Sequence, residues 1–252
     1  MFIINSTYLD KDFNLVKGNI QIENGRITAC GSSLPRSDGD TAIDAQGYTV
    51  VPGFVDVHIH GCAGADAGDG TTDSIESMGR FLLSHGVTSF CPTTATVSSD
   101  TIKAAIRAAK QIHEHPIKDG AKVAGMNLEG PFFSRERKGA QNEEFLLAPD
   151  FELFKEWYDL SGGLVKLIDL ATEQPGGEDF VKRAKELCTV SIAHTTASYE
   201  DAKDAFDWGV THVTHLFNAM NGLHHRKPGV VGAALEDERV RAELICDGEH
   251  IH

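Results

Sequence analysis

Two histidines at a spacing of two close an apolar stretch near residue 60. The stretch FVDVHIHG, residues 54–61, begins with strand-forming side chains and ends with His58 and His60. In an extended strand, successive side chains point to opposite faces, so residues two apart share one face. We therefore expect both imidazoles to point at the same place. Neutral imidazoles are the commonest protein ligands for metal ions.

Further metal-binding residue types follow other apolar stretches of the chain. They are Glu129 at the end of AGMNLE, His194 at the end of TVSIAH, His215 after THVT, and Asp247 and His250 after AELIC. A single histidine in such a place is more often a hydrogen-bonded loop or core residue than a ligand. His212, three residues before His215, is expected on the opposite face as a packing residue.

The repetition of the pattern indicates a shared site, because the carboxyl ends of the strands converge in a parallel barrel. Imidazoles and a carboxylate are ligands that zinc, iron and similar divalent ions accept. The sequence therefore predicts a metal site built from His58, His60, Glu129, His194 and His215.

From residue 52 onwards, strand-like stretches alternate with helix-like ones. Helices are expected near 71–85, 99–114, 150–160, 177–187, 198–208 and 235–240. This alternation is typical of parallel strands joined by crossover helices. Seven strands of barrel type can be counted, whereas a complete (β/α)₈ barrel has eight. The predicted fold is α/β, a (β/α)₈-type barrel in which only about seven strands are present.

The stretch before Pro52-Gly53 has a different pattern, with short β-branched runs broken by turns. Asn24-Gly25 lies between IQIE and RITA, and this dipeptide favours a two-residue hairpin with positive φ at both positions. We expect a small antiparallel sheet here. The predicted domains are residues 1–51, a small sheet, and residues 52–252, the incomplete barrel.

Composition excludes several classes of function. The chain has 252 residues, with 23 basic and 37 acidic side chains and a net charge of −14. Nucleic acids and anionic membranes are poor partners for such a surface. The five cysteines lack a CxxC pair, which favours reduced thiols over a disulfide framework. No signal-peptide pattern or apolar run of membrane-spanning length is evident. We expect a cytoplasmic protein that acts on a small molecule.

Longer motifs resemble those of a known family. PGFVDVHIHG resembles the first-strand signature of the amidohydrolase superfamily. LEGPFFSRERKGAQN, IAHTTASYEDA, THLFNAMNGLHHRKPGVVGAAL and DGEHIH resemble, more narrowly, the N-acetylglucosamine-6-phosphate deacetylases. The resemblance implies a metal-dependent barrel flanked by a small β-sandwich. It also implies hydrolysis of N-acetyl-D-glucosamine 6-phosphate to D-glucosamine 6-phosphate and acetate in amino-sugar catabolism, by an enzyme that is a homodimer.

The resemblance also assigns roles to individual residues. Glu129, His194 and His215 would hold the principal metal, and histidines at 58 and 60 match members with two ions, zinc or iron. The implied substrate-binding residues are Ala140, Gln141, Asn218, Ala219, Arg226, Asp247, Gly248, Glu249 and His250. Of these, Arg226 would bind the phosphate and His250 would help to stabilise the tetrahedral oxyanion. Gln141 departs from the histidine that many members carry.

The general base of the family is an aspartate after the eighth barrel strand, and no residue up to 252 matches it. We therefore expect metal binding with poor turnover by this chain. Two alternatives stay open. One is another amidohydrolase of the cyclic-amidase type, and the other is a catalytically incompetent metal-binding fragment.

Overall fold

The computed structural model describes all 252 residues. The chain forms two compact units, Met1–Gly53 and Phe54–His252.

The first unit is one mixed sheet of five strands. The strands are β1 (Phe2–Leu9), β2 (Leu15–Glu23), β3 (Arg26–Gly31), β4 (Ala42–Asp44) and β5 (Thr49–Val50). Their order is β3-β2-β1-β4, with β5 also on β1. Asn24 and Gly25 both have positive φ in the β2–β3 turn, which confirms the predicted hairpin. The expectation of a purely antiparallel sheet is wrong, because β4 and β5 both run parallel to β1.

The second unit is built on one parallel sheet. Its strands are β6 (Phe54–Ile59), β9 (Val87–Thr94), β11 (Met126–Glu129), β12 (Val165–Leu170), β13 (Thr189–Ile192), β14 (His212–Val213) and β15 (Arg241–Ala242). They pair in that order, and each pair is parallel. The expected count of seven barrel strands is therefore correct. A small antiparallel pair, β7 (Gly61–Cys62) and β8 (Ala65–Asp66), follows β6. A further short strand, β10 (Lys122–Val123), pairs in parallel with β9.

Six α-helices connect these strands. They are α1 (Thr72–Ser84), α2 (Ser99–Glu114), α3 (Phe151–Ser161), α4 (Gly177–Ala184), α5 (Tyr199–Trp208) and α6 (Gly229–Glu236). Thr71, Ser98, Asp150 and Ser198 each accept a backbone N–H at a helix start, as N-caps do. The last helix begins six residues earlier than the sequence suggested. Its inner side, Gly229 to Val231 and Ala233, is buried.

The parallel sheet curls but does not close by backbone pairing. β6 pairs with β9 alone and β15 with β14 alone, so these are the two edge strands. Glu243, directly after β15, nevertheless reaches His58 of β6 through its side chain. The two edges therefore lie within side-chain reach of each other, and the carboxyl ends of the strands surround a common centre.

Candidate metal centre

The structure brings the five predicted ligands together. Glu129 is the last residue of β11 and is 2% exposed. His58 lies on β6 and His60 follows it, while His194 and His215 each lie two residues beyond the end of a strand, β13 and β14 respectively. Two groups of three can each hold one ion: Glu129, His194 and His215, and His58, His60 and Glu129. The carboxylate of Glu129 belongs to both groups.

The Nε2 atoms of all four imidazoles point at this carboxylate. Oε1 of Glu129 lies 3.2 Å from Nε2 of His194 and 3.0 Å from Nε2 of His215. The same oxygen is 3.5 Å from Nε2 of His58, and Oε2 is 3.1 Å from Nε2 of His60. The Nε2 atoms of His194 and His215 are only 3.2 Å apart.

The hydrogen bonds of the opposite ring nitrogens test whether a cation fits. Nδ1 of His194 lies 2.9 Å from the backbone oxygen of Arg137, and Nδ1 of His60 lies 3.2 Å from that of Thr93. A carbonyl oxygen only accepts, so each ring donates from Nδ1 and, when neutral, has a lone pair on Nε2. These lone pairs face carboxylate oxygens, which are also acceptors. A divalent cation among them satisfies every acceptor, and such outer contacts are typical of metal-binding histidines.

The electrostatics of the cluster also favour a cation. Burial opposes ionisation of Glu129, but the close approach of the Nε2 atoms of His194, His215 and His60 outweighs it and holds the pKa of Glu129 well below the usual range. Burial opposes the charged form of His58 too, yet the hydrogen bond to Glu243 and the carboxylates nearby raise its pKa to about 9. Positive charge, carried by a proton or by a bound cation, is therefore stabilised at this point.

Gln141 supports the central carboxylate. Its Oε1 accepts the backbone N–H of Thr96 at 2.6 Å, which fixes the orientation of the amide. Its Nε2 therefore donates to Oε2 of Glu129. The side chain is buried at 7% exposure. The resemblance implies a substrate contact for Gln141, and the structure adds a contact between its amide and Glu129.

The backbone around the site is strained. His194, His215, Phe217 and Ala219 all have positive φ, at 45°, 34°, 79° and 52°. Residues other than glycine rarely adopt this left-handed region, and clusters of such residues are typical of functional sites. β14 ends after two residues, and three of these four residues follow it within the next six.

A polar network behind the cluster was not predicted from the sequence. Glu243 accepts Nδ1–H of His58. Nε2 of His212 lies 3.7 Å from Oε1 of Glu243, on the side of the sheet where Glu243 contacts His58, so its expected place on the opposite face is wrong. Asp169 is fully buried, and this burial raises its pKa well above the usual value. A carboxylate inside the apolar strand VKLIDL, in register with Glu129, was the signal that could have identified Asp169.

The implied substrate-binding residues divide into two groups. Asn218 and Ala219 are half-buried in the segment after His215, and Ala140 is exposed beside Gln141. Arg226 is exposed, and its guanidinium has no partner within the protein. Asp247 to His250 are also exposed. Oδ1 of Asp247 accepts the backbone N–H groups of Glu249 and His250, and its Oδ2 lies 2.7 Å from Nδ1 of His250. None of these four residues hydrogen-bonds to the histidine cluster.

Comparison with known proteins identifies the family. Residues 49–242 match the Amidohydrolase family. The chain belongs to the amidohydrolase family. The metal-type cluster at the strand ends lies inside the matched range, and members of this family generally use a divalent metal.

The names of individual relatives are narrower than the family description. An N-acetylglucosamine-6-phosphate deacetylase of Bacillus subtilis is 38% identical over 239 residues, which cover 93% of this chain and 60% of the relative. The crystal structure of N-acetylglucosamine-6-phosphate deacetylase from Pasteurella multocida matches with a TM-score of 0.90 at 28% identity, covering 99% of this chain and 65% of that one.

A mutant of the Mycobacterium smegmatis enzyme, solved in complex with N-acetyl-D-glucosamine-6-phosphate, matches with a TM-score of 0.89 at 29% identity. The match covers 100% of this chain and 64% of that one. This amidohydrolase thus spans about 60% of the length of the curated relative. None of its helices has the length and hydropathy that crossing a membrane requires.

Proposed function

We propose that this amidohydrolase acts in the metal-dependent deacetylation of N-acetyl-D-glucosamine 6-phosphate. One observation carries the proposal: four imidazoles and one carboxylate converge at the strand ends of an amidohydrolase sheet. The relatives that are similar over nearly the whole chain are named for this reaction.

A bound divalent cation, zinc or iron, would lower the pKa of a water molecule and polarise the acyl oxygen. Glu129, His194 and His215 would hold one ion, and His58 and His60 a second ion that shares Glu129. Gln141 keeps the shared carboxylate in place. An adjoining cavity of about 850 Å³ is lined by His58, His60, Glu129 and His215, and can receive a small molecule.

Recognition of the phosphate would come from Arg226. The planar guanidinium binds two phosphate oxygens at once, and this one is free of internal partners. Ala140, Asn218 and Ala219 would contact the sugar. Asp247 to His250 would contact the substrate from the exposed segment after β15, with His250 stabilising the developing oxyanion. Local positive charge is needed because the protein carries a net charge of −14.

The cyclic-amidase alternative has less support in the structure. Members of that type often use a metal-bridging carboxylated lysine on the fourth strand. Lys166 is near the start of β12, and its Nζ donates to the backbone oxygen of Gly163 at 2.8 Å. Glu129 belongs to both groups of ligands and would take the role of the bridging residue.

The test is an assay of acetate release with Zn²⁺ or Fe²⁺, using wild type and the variants Glu129→Gln and Arg226→Ala. We expect metal-dependent release of acetate that Glu129→Gln abolishes, because the substitution removes the carboxylate that belongs to both groups of ligands. Arg226→Ala should raise KM for the phosphorylated sugar and leave hydrolysis of unphosphorylated N-acetylglucosamine unchanged. Metal binding without any acetate release contradicts the proposal and favours a metal-binding fragment.

We also propose that the protein is a cytoplasmic homodimer. All five cysteines are free, as is usual in reducing compartments. Light scattering coupled to size-exclusion chromatography checks the dimer directly.

A further inference from the structure

We infer that Glu243 is a positioning residue for His58 and enables the His58–His60 half of the cluster to hold a second divalent cation. The inference rests on the proposed function, since it takes the cluster to be a cation site. Nothing in the sequence motifs singles out Glu243.

The contact between the two side chains fixes the tautomer of His58. Nδ1 of His58 lies 2.9 Å from Oε2 of Glu243, and the two side chains are only 15% and 12% exposed. An ionised carboxylate only accepts, so the neutral ring donates from Nδ1 and keeps its lone pair on Nε2. Without this acceptor the ring is free to carry its proton on Nε2, where the proton blocks metal binding.

His58 is the only imidazole of the four with a charged outer partner. His60 and His194 donate to backbone carbonyls, and Nδ1 of His215 has no hydrogen-bond partner. A carboxylate behind a histidine makes the ring a stronger ligand than a carbonyl does, because the hydrogen bond is charge-assisted. Glu243 therefore strengthens the ligand that belongs to the more exposed half of the cluster, where His60 is 39% exposed.

The main chain of Glu243 hydrogen-bonds to the segment that carries His215, which belongs to the other half of the cluster. Its N–H donates to the oxygen of Val213 at 2.9 Å, and its oxygen accepts the N–H of Leu216 at 2.8 Å. These two bonds flank His215. One residue thus connects the backbone that carries His215 to the ring of His58, and it does so across the two edge strands of the sheet.

The second carboxylate oxygen of Glu243 makes no hydrogen bond that would draw the side chain away from His58. Oε1 has no hydrogen-bond partner, and the nearest basic atom is Nε2 of His212 at 3.7 Å. Nδ1 of His212 is itself engaged with Oγ of Ser191 at 3.0 Å. The carboxylate is therefore aimed at His58 alone.

The experiment measures how many equivalents of Zn²⁺ the protein binds and how tightly, by chelator competition and elemental analysis. The variants are Glu243→Ala, Glu243→Gln and the matched control Glu238→Gln, which removes one exposed charge five residues away. We expect two equivalents in wild type and in the control. Glu243→Ala should weaken one equivalent by about 10- to 100-fold and leave the other unchanged.

Glu243→Gln separates positioning from a merely structural role. Its amide oxygen can still accept Nδ1–H, so it should recover part of the affinity that Glu243→Ala loses. If Glu243→Ala binds both equivalents as tightly as wild type does, the inference is overturned. Equal weakening of both equivalents also overturns it. Fewer than two equivalents in wild type also overturns it. If the binding results are as expected but acetate is not released, the deacetylase proposal fails and this inference stands.

Discussion

The hydrogen bonds of Gln141 lead to a quantitative prediction for Gln141→Leu. The substitution keeps the side-chain volume and removes both polar contacts of the amide. The buried N–H of Thr96 is then unpaired, at a cost of about 1–3 kcal/mol, and Glu129 loses a charged hydrogen bond of about 1.5–3 kcal/mol. Burial of the leucine offsets about 1.5–3 kcal/mol. The free energy of unfolding should therefore fall by about 1–3 kcal/mol.

Tryptophan fluorescence during thermal unfolding, with a chelator present, is a suitable assay. Both tryptophans, Trp157 and Trp208, lie in the unit that contains the site. For a unit of this size, the loss corresponds to a midpoint lower by roughly 2–12 °C. The matched control is Gln111→Leu on the exposed side of α2, which should change the free energy of unfolding by less than about 0.5 kcal/mol.

A second variant tests the direction of the Gln141 bond. Gln141→Glu keeps an acceptor for Thr96 but places a carboxylate against Glu129. Repulsion raises the pKa of the introduced carboxyl group in the folded state. The variant should therefore be destabilised at pH 8 and regain stability as the pH falls through that raised pKa. A Gln141→Leu protein as stable as wild type, or a Gln141→Glu protein indifferent to pH, would refute the reasoning.

Three further outcomes are expected. Gly130→Ala should lower the thermal midpoint and reduce Zn²⁺ affinity, because φ is +92° there and a Cβ would lie 2.4 Å from Oγ1 of Thr96. A variant with unchanged midpoint and affinity would be inconsistent with that packing. Iodoacetamide at pH 8 should label Cys30 quickly and Cys91 hardly at all by mass spectrometry, because burial raises the pKa of the Cys91 thiol to about 11; rapid labelling of Cys91 would contradict its burial. Zn²⁺ at 100 times its Kd should stabilise the protein by about 2.7 kcal/mol, and Glu129→Gln should abolish this gain; equal stabilisation of the variant would place the ion elsewhere.

The sequence predicts the sheet well because the relevant signals are local. Strand and helix periods alternate after Pro52-Gly53, and Asn24-Gly25 has a turn geometry that few other dipeptides share. The last helix was misplaced because GVVGAAL contains two glycines and no polar face. Its stability comes from burial of Val230 and Val231, which periodicity does not reveal.

The candidate site is predictable only in part. Histidines at strand ends are visible as a pattern, so the cluster around Glu129 could be anticipated. Glu243 could not, because its role depends on which strands become neighbours across the curled sheet. Gln141 was assigned from resemblance alone, and its bond to Glu129 depends on the path of the loop that follows β11.

The left-handed residues after β13 and β14 have a consequence for local opening of the protein. Each non-glycine residue with positive φ costs about 1–2 kcal/mol relative to an ordinary conformation. His194, His215, Phe217 and Ala219 are four such residues within one short region of space. Amide hydrogens in this region should exchange with solvent sooner than those of β12. Cation binding should slow that exchange most at the residues with positive φ.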